Sequence, residues 1–90
     1  MTGSERAEFR KQANALKPIF QIGKGEIGEN MIKSVDEALE KRELIKLTLL
    51  ETASVDAKEA ARIFADATHA EVIQCIGRRF VLYRKSEKED

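Results

Sequence analysis

The 90-residue sequence has no tryptophan, one tyrosine and four phenylalanines, so aromatic side chains make up only 6% of it. A protein that stacks unpaired bases on exposed rings would have little to work with. The single cysteine, Cys75, excludes an intramolecular disulfide and a multi-thiol metal site. Its apolar setting, VIQCI, marks a buried thiol and a reducing compartment. The charge is balanced, with 16 basic and 16 acidic residues, so net charge gives no pull toward nucleic acid. Any electrostatic case rests on where the charges sit. No apolar run approaches 18 residues and no signal-peptide pattern is visible, so the expected location is the cytoplasm, with no membrane partner.

What is present is a chain 42% apolar and 36% charged, of a length for one domain with one modest core. A single domain over 1–90 is expected, ordered from about 4 to 85, with 86–90 as a charged tail. The chain is organised around Ile22 to Lys46, IGKGEIGENMIKSVDEALEKRELIK. Three glycines, Gly23, Gly25 and Gly28, fall within six residues around Lys24, and a helix follows from Glu29. Glycine admits positive φ and close approach of another molecule, and a helix N-terminus favours an anion. Such a turn suits phosphate; it serves equally well as punctuation between a strand and a helix.

A first helix is expected from Ser4, as its cap, to Leu16, with Phe9, Ala13 and Leu16 at helical spacing. Pro18 stops it, and 18–22 reads as a short strand. The second helix, 29–42, puts Met31, Ile32, Val35, Ala38 and Leu39 on one face and Lys33, Asp36, Glu37, Glu40 and Lys41 mainly on the other. Residues 44–50, LIKLTLL, alternate as a strand with one wet face. A third helix, 56–68, carries a small apolar side of Ala57, Ala60, Ala61, Phe64 and Ala67. Strands at 70–76 and 80–84 flank Gly77-Arg78, which fits a two-residue hairpin. The order α-β-α-β-α-β-β predicts an α/β fold: a two-layer domain with a mixed four-stranded sheet, strands one to three parallel and the fourth antiparallel to the third.

That topology puts the glycine turn and the Gly77-Arg78-Arg79 hairpin at one edge of the sheet, since both follow the C-terminal ends of parallel strands. Lys24, Arg78, Arg79 and the helix N-terminus then make one positive patch on a neutral protein. Lys41, Arg42 and Lys46 fall toward the opposite edge, with the wet sheet face as a second place for Lys46. Catalysis finds no footing. His69 reads as a capping or surface residue, Ser34 and Ser54 have no base partner in view, and the turn is neither a P-loop nor GxGxxG. No catalytic residue, metal, cofactor or small-molecule substrate is expected.

Three ordered blocks, LKPIFQIGKGEIGENMI, EALEKRELIKL and IGRRFVLYR, closely resemble the CRM domain, and within it the single-domain bacterial YhbY-like proteins. The resemblance runs from about Phe9 to Lys85. It implies a non-enzymatic RNA-binding module associated with assembly of the large ribosomal subunit. It also implies a fold similar to the C-terminal domain of bacterial translation initiation factor three. Domains of this type occur in plant organellar intron-splicing factors. The family's GxxG loop falls on Gly23, Lys24, Gly25 and Glu26, with glutamate in place of the closing glycine. The RNA-binding residues it implies are Gly23, Lys24 and Gly25, then Lys46, Arg78, Arg79 and Arg84. The partner is RNA, in the form of ribosomal RNA or large-subunit precursors. A different class of reading is a protein–protein adaptor working through the acidic face of helix two, with the glycine turn purely structural. A third is a binder of small phosphate ligands, or an enzyme acting on them, that uses the same turn.

Overall fold

Residues 2–23 and 27–86 are described by the structure, a computed structural model. The expectations for Lys24, Gly25 and Glu26, and for the tail after Ser86, lie outside the described residues. The elements are α1 (Gly3–Ala13), β1 (Phe20–Ile22), α2 (Glu29–Arg42), β2 (Leu44–Leu49), α3 (Ala57–Thr68), β3 (Glu71–Ile76) and β4 (Arg79–Tyr83).

The four strands form one mixed sheet in the order β1-β2-β4-β3. β1 lies parallel to β2, and β4 runs antiparallel to both β2 and β3. The first three strands therefore share a direction, as expected, and the hairpin folds β4 back into the gap between β2 and β3. Gly77 makes that turn possible with φ of +58°, a conformation costly for a residue with a Cβ.

Strict alternation in β2 sends Ile45, Leu47 and Leu49 to one face, where they meet α2 and α3. Val35 and Leu39 of α2 and Ala57, Ala60, Ala61 and Phe64 of α3 complete this core. The alanines bring α3 close to the sheet, and Phe64 stacks on Phe80 with ring centroids 6.1 Å apart. Both phenylalanines are fully buried, so Phe64→Ala would cost about 3–5 kcal/mol, a large part of a small domain's stability.

The opposite face is only half covered. α1 crosses it with Phe9 and Ala13 against Leu44, Ile73, Val81 and Tyr83, and Phe9 stacks on Tyr83 at 4.1 Å. Arg6 fastens the helix by donating to the Val72 carbonyl at 2.7 Å. α1 differs from expectation at both ends. Thr2, not Ser4, is the N-cap, accepting from the Glu5 N–H, and the helix stops at Ala13 with Asn14 as C-cap. Leu16 lies beyond it, and its carbonyl accepts a hydrogen bond from Lys46 instead of continuing the helical ladder. β1 is shorter than expected, beginning at Phe20.

Candidate functional site

Ile22 is paired in register with Leu49, and both Thr48 and Ile76 are paired with Arg79. The ends of β1, β2 and β3 and the start of β4 thus meet at one edge of the sheet. Gly23, the 50–56 connection and the Gly77-Arg78 turn are gathered there. The Leu50 N–H donates to the Ile22 carbonyl at 2.8 Å, and the Leu49 N–H to the Arg78 carbonyl at 2.7 Å. A shallow cavity of about 170 Å³ lies between the 50–57 segment and the turn.

Gly23 serves this edge through its missing side chain, not through a left-handed backbone. A Cβ there would sit 3.3 Å from Leu50 Cδ1 and 3.4 Å from Thr52 Oγ1, and the only positive-φ glycine among the described residues is Gly77. Gly28 is the N-cap of α2 and supplies no side-chain bond to the first turn. Those N–H groups lack the side-chain acceptor that Asp56 gives α3.

The cations divide among three places. Arg78 is at the edge, exposed, and paired with the carboxylate of Glu51 at 3.4 Å. Arg79 and Lys46 project from the α1 side of the sheet. Arg79 is exposed; Lys46 reaches under the end of α1, where its ammonium donates to the carbonyls of Ala13 at 3.3 Å and Leu16 at 3.4 Å. Together with Asn14, Gln74, Ile76 and Val81 they line a second cavity of about 170 Å³.

Arg84 lies at the far edge. Its side chain is 18% exposed, and its guanidinium is ion-paired with Asp36 and Glu40. It also donates to the backbone carbonyls of Thr68 at 2.8 Å and Asp36 at 3.0 Å. The resemblance counts it among the RNA-binding residues; its contacts in the structure join β4 to α2 and the end of α3. The same contacts engage Asp36 and Glu40 on the acidic helix face that an adaptor would use, although the Asp36 side chain stays 51% exposed.

Neither Phe80 nor Tyr83 is open for base stacking. Phe80 is core and Tyr83 lies under Phe9, with its hydroxyl pKa raised chiefly by burial and then by Glu43, Glu5 and Glu71. Cys75 is half-buried, and burial pushes its thiol pKa up, so it is a poor nucleophile. His69 is the C-cap of α3 in the left-handed conformation, a structural post. The described residues hold no group of three or more potential metal ligands, and no helix among them is long and apolar enough to cross a membrane.

The CRS1/YhbY (CRM) domain profile matches residues 1–84. The chain belongs to the CRM domain family. Among its relatives is a Bacillus subtilis protein named "Probable RNA-binding protein YqeI", 40% identical over 98% of this chain and 92% of its own length. A Methanocaldococcus jannaschii protein with the same kind of name is 36% identical over 97% of this chain and 66% of its own. The solution structure of a hypothetical Staphylococcus aureus protein, inferred to bind RNA, superposes with a TM-score of 0.80. It is 46% identical and covers 100% of this chain and 94% of that one. In this CRM domain the residues that sequence reasoning passed over are Asn14, Glu51, Gln74 and Ile76. Gln74 left a signal, a lone polar residue inside an apolar strand; Glu51 and Asn14 gave none, because only folding brings them to the cations.

Proposed function

We propose that this CRM domain binds structured RNA along the loop edge of its sheet, docking on ribosomal RNA during assembly of the large ribosomal subunit. The observation that carries the reading is the gathering of Gly23, the 50–56 connection and the hairpin turn with Arg78 and Arg79 at one edge, in a family whose relatives are named for RNA binding. Cations and backbone amides at such an edge meet phosphates and 2′-hydroxyls, and the shortage of open aromatics makes recognition one of shape rather than base sequence. Lys24 and Gly25 belong to the same site by their place in the chain. Lys46 extends it onto the sheet face. The role is that of a binding module, without catalysis, cofactor or small-molecule substrate.

The test is sedimentation of cell extract through a sucrose gradient. The protein is expected with large-subunit precursors in excess over mature ribosomes, and its binding to purified ribosomal RNA is expected to weaken steeply with salt. Even distribution over free protein, precursors and mature particles would remove the assembly role. Salt-insensitive association would remove the phosphate-led mode.

A further inference from the structure

We propose that the open half of the sheet face beside α1 is a second RNA contact, which takes a single-stranded stretch running off the structured RNA at the loop edge. The proposal rests on the RNA-binding reading above. Its basis is the cross-strand register. The row nearest the loop edge is Gln21, Thr48, Arg79 and Ile76, and the next is Lys46, Val81 and Gln74. The third row, Leu44, Tyr83 and Glu71, is where Phe9 of α1 takes over. The first row is open, and in the second α1 covers Val81 while Lys46 and Gln74 stay half-exposed. The two rows hold two cations and no carboxylate, on a chain whose acids and bases are equal in number.

The chemistry of these rows is that of a nucleotide groove. Arg79 has no ion-pair partner among the described residues, and it faces Lys46 across the 170 Å³ cleft. The cleft has room for several waters, at roughly 30 Å³ each. Lys46 directs two of its three N–H groups at the end of α1, at the long distances given above, and keeps its charge and a third donor for the cleft. The amides of Asn14 and Gln74 offer the donor and acceptor pair that a 2′-hydroxyl uses. Ile76, 66% exposed, gives an apolar ledge for a base beside the turn that carries Arg78. Phosphate sits between the cations, the sugar hydroxyl meets the amides, and the base lies on the ledge. With an aliphatic ledge in place of a ring, the contact tolerates any base. An acidic protein segment would also suit the cations, but the face is continuous with the RNA-binding edge through Thr48 and Arg79, and that favours RNA.

The full chain is titrated with two RNAs, a blunt hairpin and the same hairpin carrying a short single-stranded extension. The extension is expected to tighten binding about five- to tenfold at moderate salt. Gln74→Glu combined with Ile76→Ser, both on the outer strand, is expected to cancel that gain, while blunt-hairpin binding falls by a smaller factor than the gain that is lost. Gln74→Lys is expected to enlarge the gain, and it decides the matter if the double variant melts early. An extension that adds nothing to wild-type binding, or a gain that survives the double variant, overturns the proposal while leaving the edge reading intact. Failure of both RNAs to bind overturns both. Displacement of the extension by polyglutamate as readily as by polyuridylate of equal charge overturns it in favour of an acidic protein partner.

Discussion

The two edges of the sheet both carry arginine, and the chain uses it in opposite ways. At the loop edge Arg78 has a side chain 60% exposed, and its ion-pair partner Glu51 is 84% exposed. At the far edge Arg84 is held by two carboxylates and two backbone carbonyls and is 18% exposed. The difference lies in what the chain brings to each edge. The loop edge receives connections, whose backbone runs over the surface and whose side chains are unconstrained. The far edge receives the C-terminal part of α2 and the end of α3, with carbonyls and carboxylates that need a cation. There α2 turns into β2 through the single residue Glu43, at φ of 64°, and the strain of that conformation is met by local bonds. Its N–H donates to the Leu39 carbonyl, its own carbonyl accepts from the Arg84 N–H, and its carboxylate accepts from the Ser86 N–H. One edge is therefore available to bind, and the other holds the fold together.

The largest expected effect comes from reversing the charge of the loop edge. Lys24, Arg78 and Arg79 changed together to glutamate should lower RNA affinity by more than roughly 100-fold, with a salt slope smaller by about 0.7–0.9 for each phosphate no longer neutralised. Stability should change little at Arg78 and Arg79, which are exposed. The same reversal at Lys41 and Arg42, at the far end of α2, should cost much less affinity. Fluorescence anisotropy across a salt series measures both, and equal losses would abolish the distinction between the edges.

Arg84→Met should give the converse result. Removing the guanidinium leaves Asp36 and the Thr68 carbonyl without their cation in a partly buried site. The cost is about 2–3 kcal/mol of folding stability. RNA affinity, measured well below the melting range, should stay close to wild type. Arg84→Lys should not restore stability, because an ammonium cannot reach both carboxylates and both carbonyls as one planar fork does. Strong loss of RNA binding by a fully folded Arg84→Met protein would return Arg84 to the interface.

How far the sequence carried these edges depends on what sort of signal each feature leaves. β2 was legible because LIKLTL alternates cleanly, and α2 because its apolar residues recur at helical spacing and its ends are marked by Gly28 and by Lys41-Arg42. The shared edge of Gly23 and the hairpin followed from parallel connectivity alone. The clamp at Arg84 was not legible. It joins residues 48 positions apart in the chain, and nothing in YRKSEKED distinguishes a clamping arginine from a solvated one. α1 was misplaced at its ends for a related reason: Thr2 and Ser4 are equally good caps locally. Both ends lie closer to the N-terminus than periodicity implied, and the docking of Phe9 and Ala13 under Tyr83 and Val81 accompanies that shift.

A smaller effect separates the edges by pH. Tyr83 at the far edge has its pKa raised above the ordinary value of about 10 by burial, and further by Glu43, Glu5 and Glu71. A raised acid pKa in the folded state favours the neutral phenol. The stability it contributes is therefore full below the unfolded pKa and is lost as pH rises through the folded one. The thermal midpoint should fall above about pH 10, and Tyr83→Phe should flatten that alkaline limb with little change at neutral pH. An alkaline limb unaltered by Tyr83→Phe would assign it to other groups.

The smallest expected effect tests the loop edge most directly. Glu51 is paired with Arg78 at 3.4 Å, yet both side chains are mostly in water, so the pair contributes about 0–1 kcal/mol to folding and Glu51→Gln should hardly move the melting temperature. For binding, the same carboxylate acts twice against RNA: it occupies the guanidinium that a phosphate would take, and it repels that phosphate through solvent. Each effect is a fraction of a kcal/mol at several Å in a well-hydrated setting. Glu51→Gln should therefore tighten RNA binding by a few-fold at low salt, with the gain fading as added salt screens the charges. The two contributions separate in an Arg78→Gln background. If the gain comes from freeing Arg78, Glu51→Gln does nothing there; if it comes from repulsion of phosphate, it persists at about the same size. Unchanged affinity in both backgrounds would mean that RNA does not approach Arg78, and the binding edge would have to be sought around Lys46 and Arg79 alone.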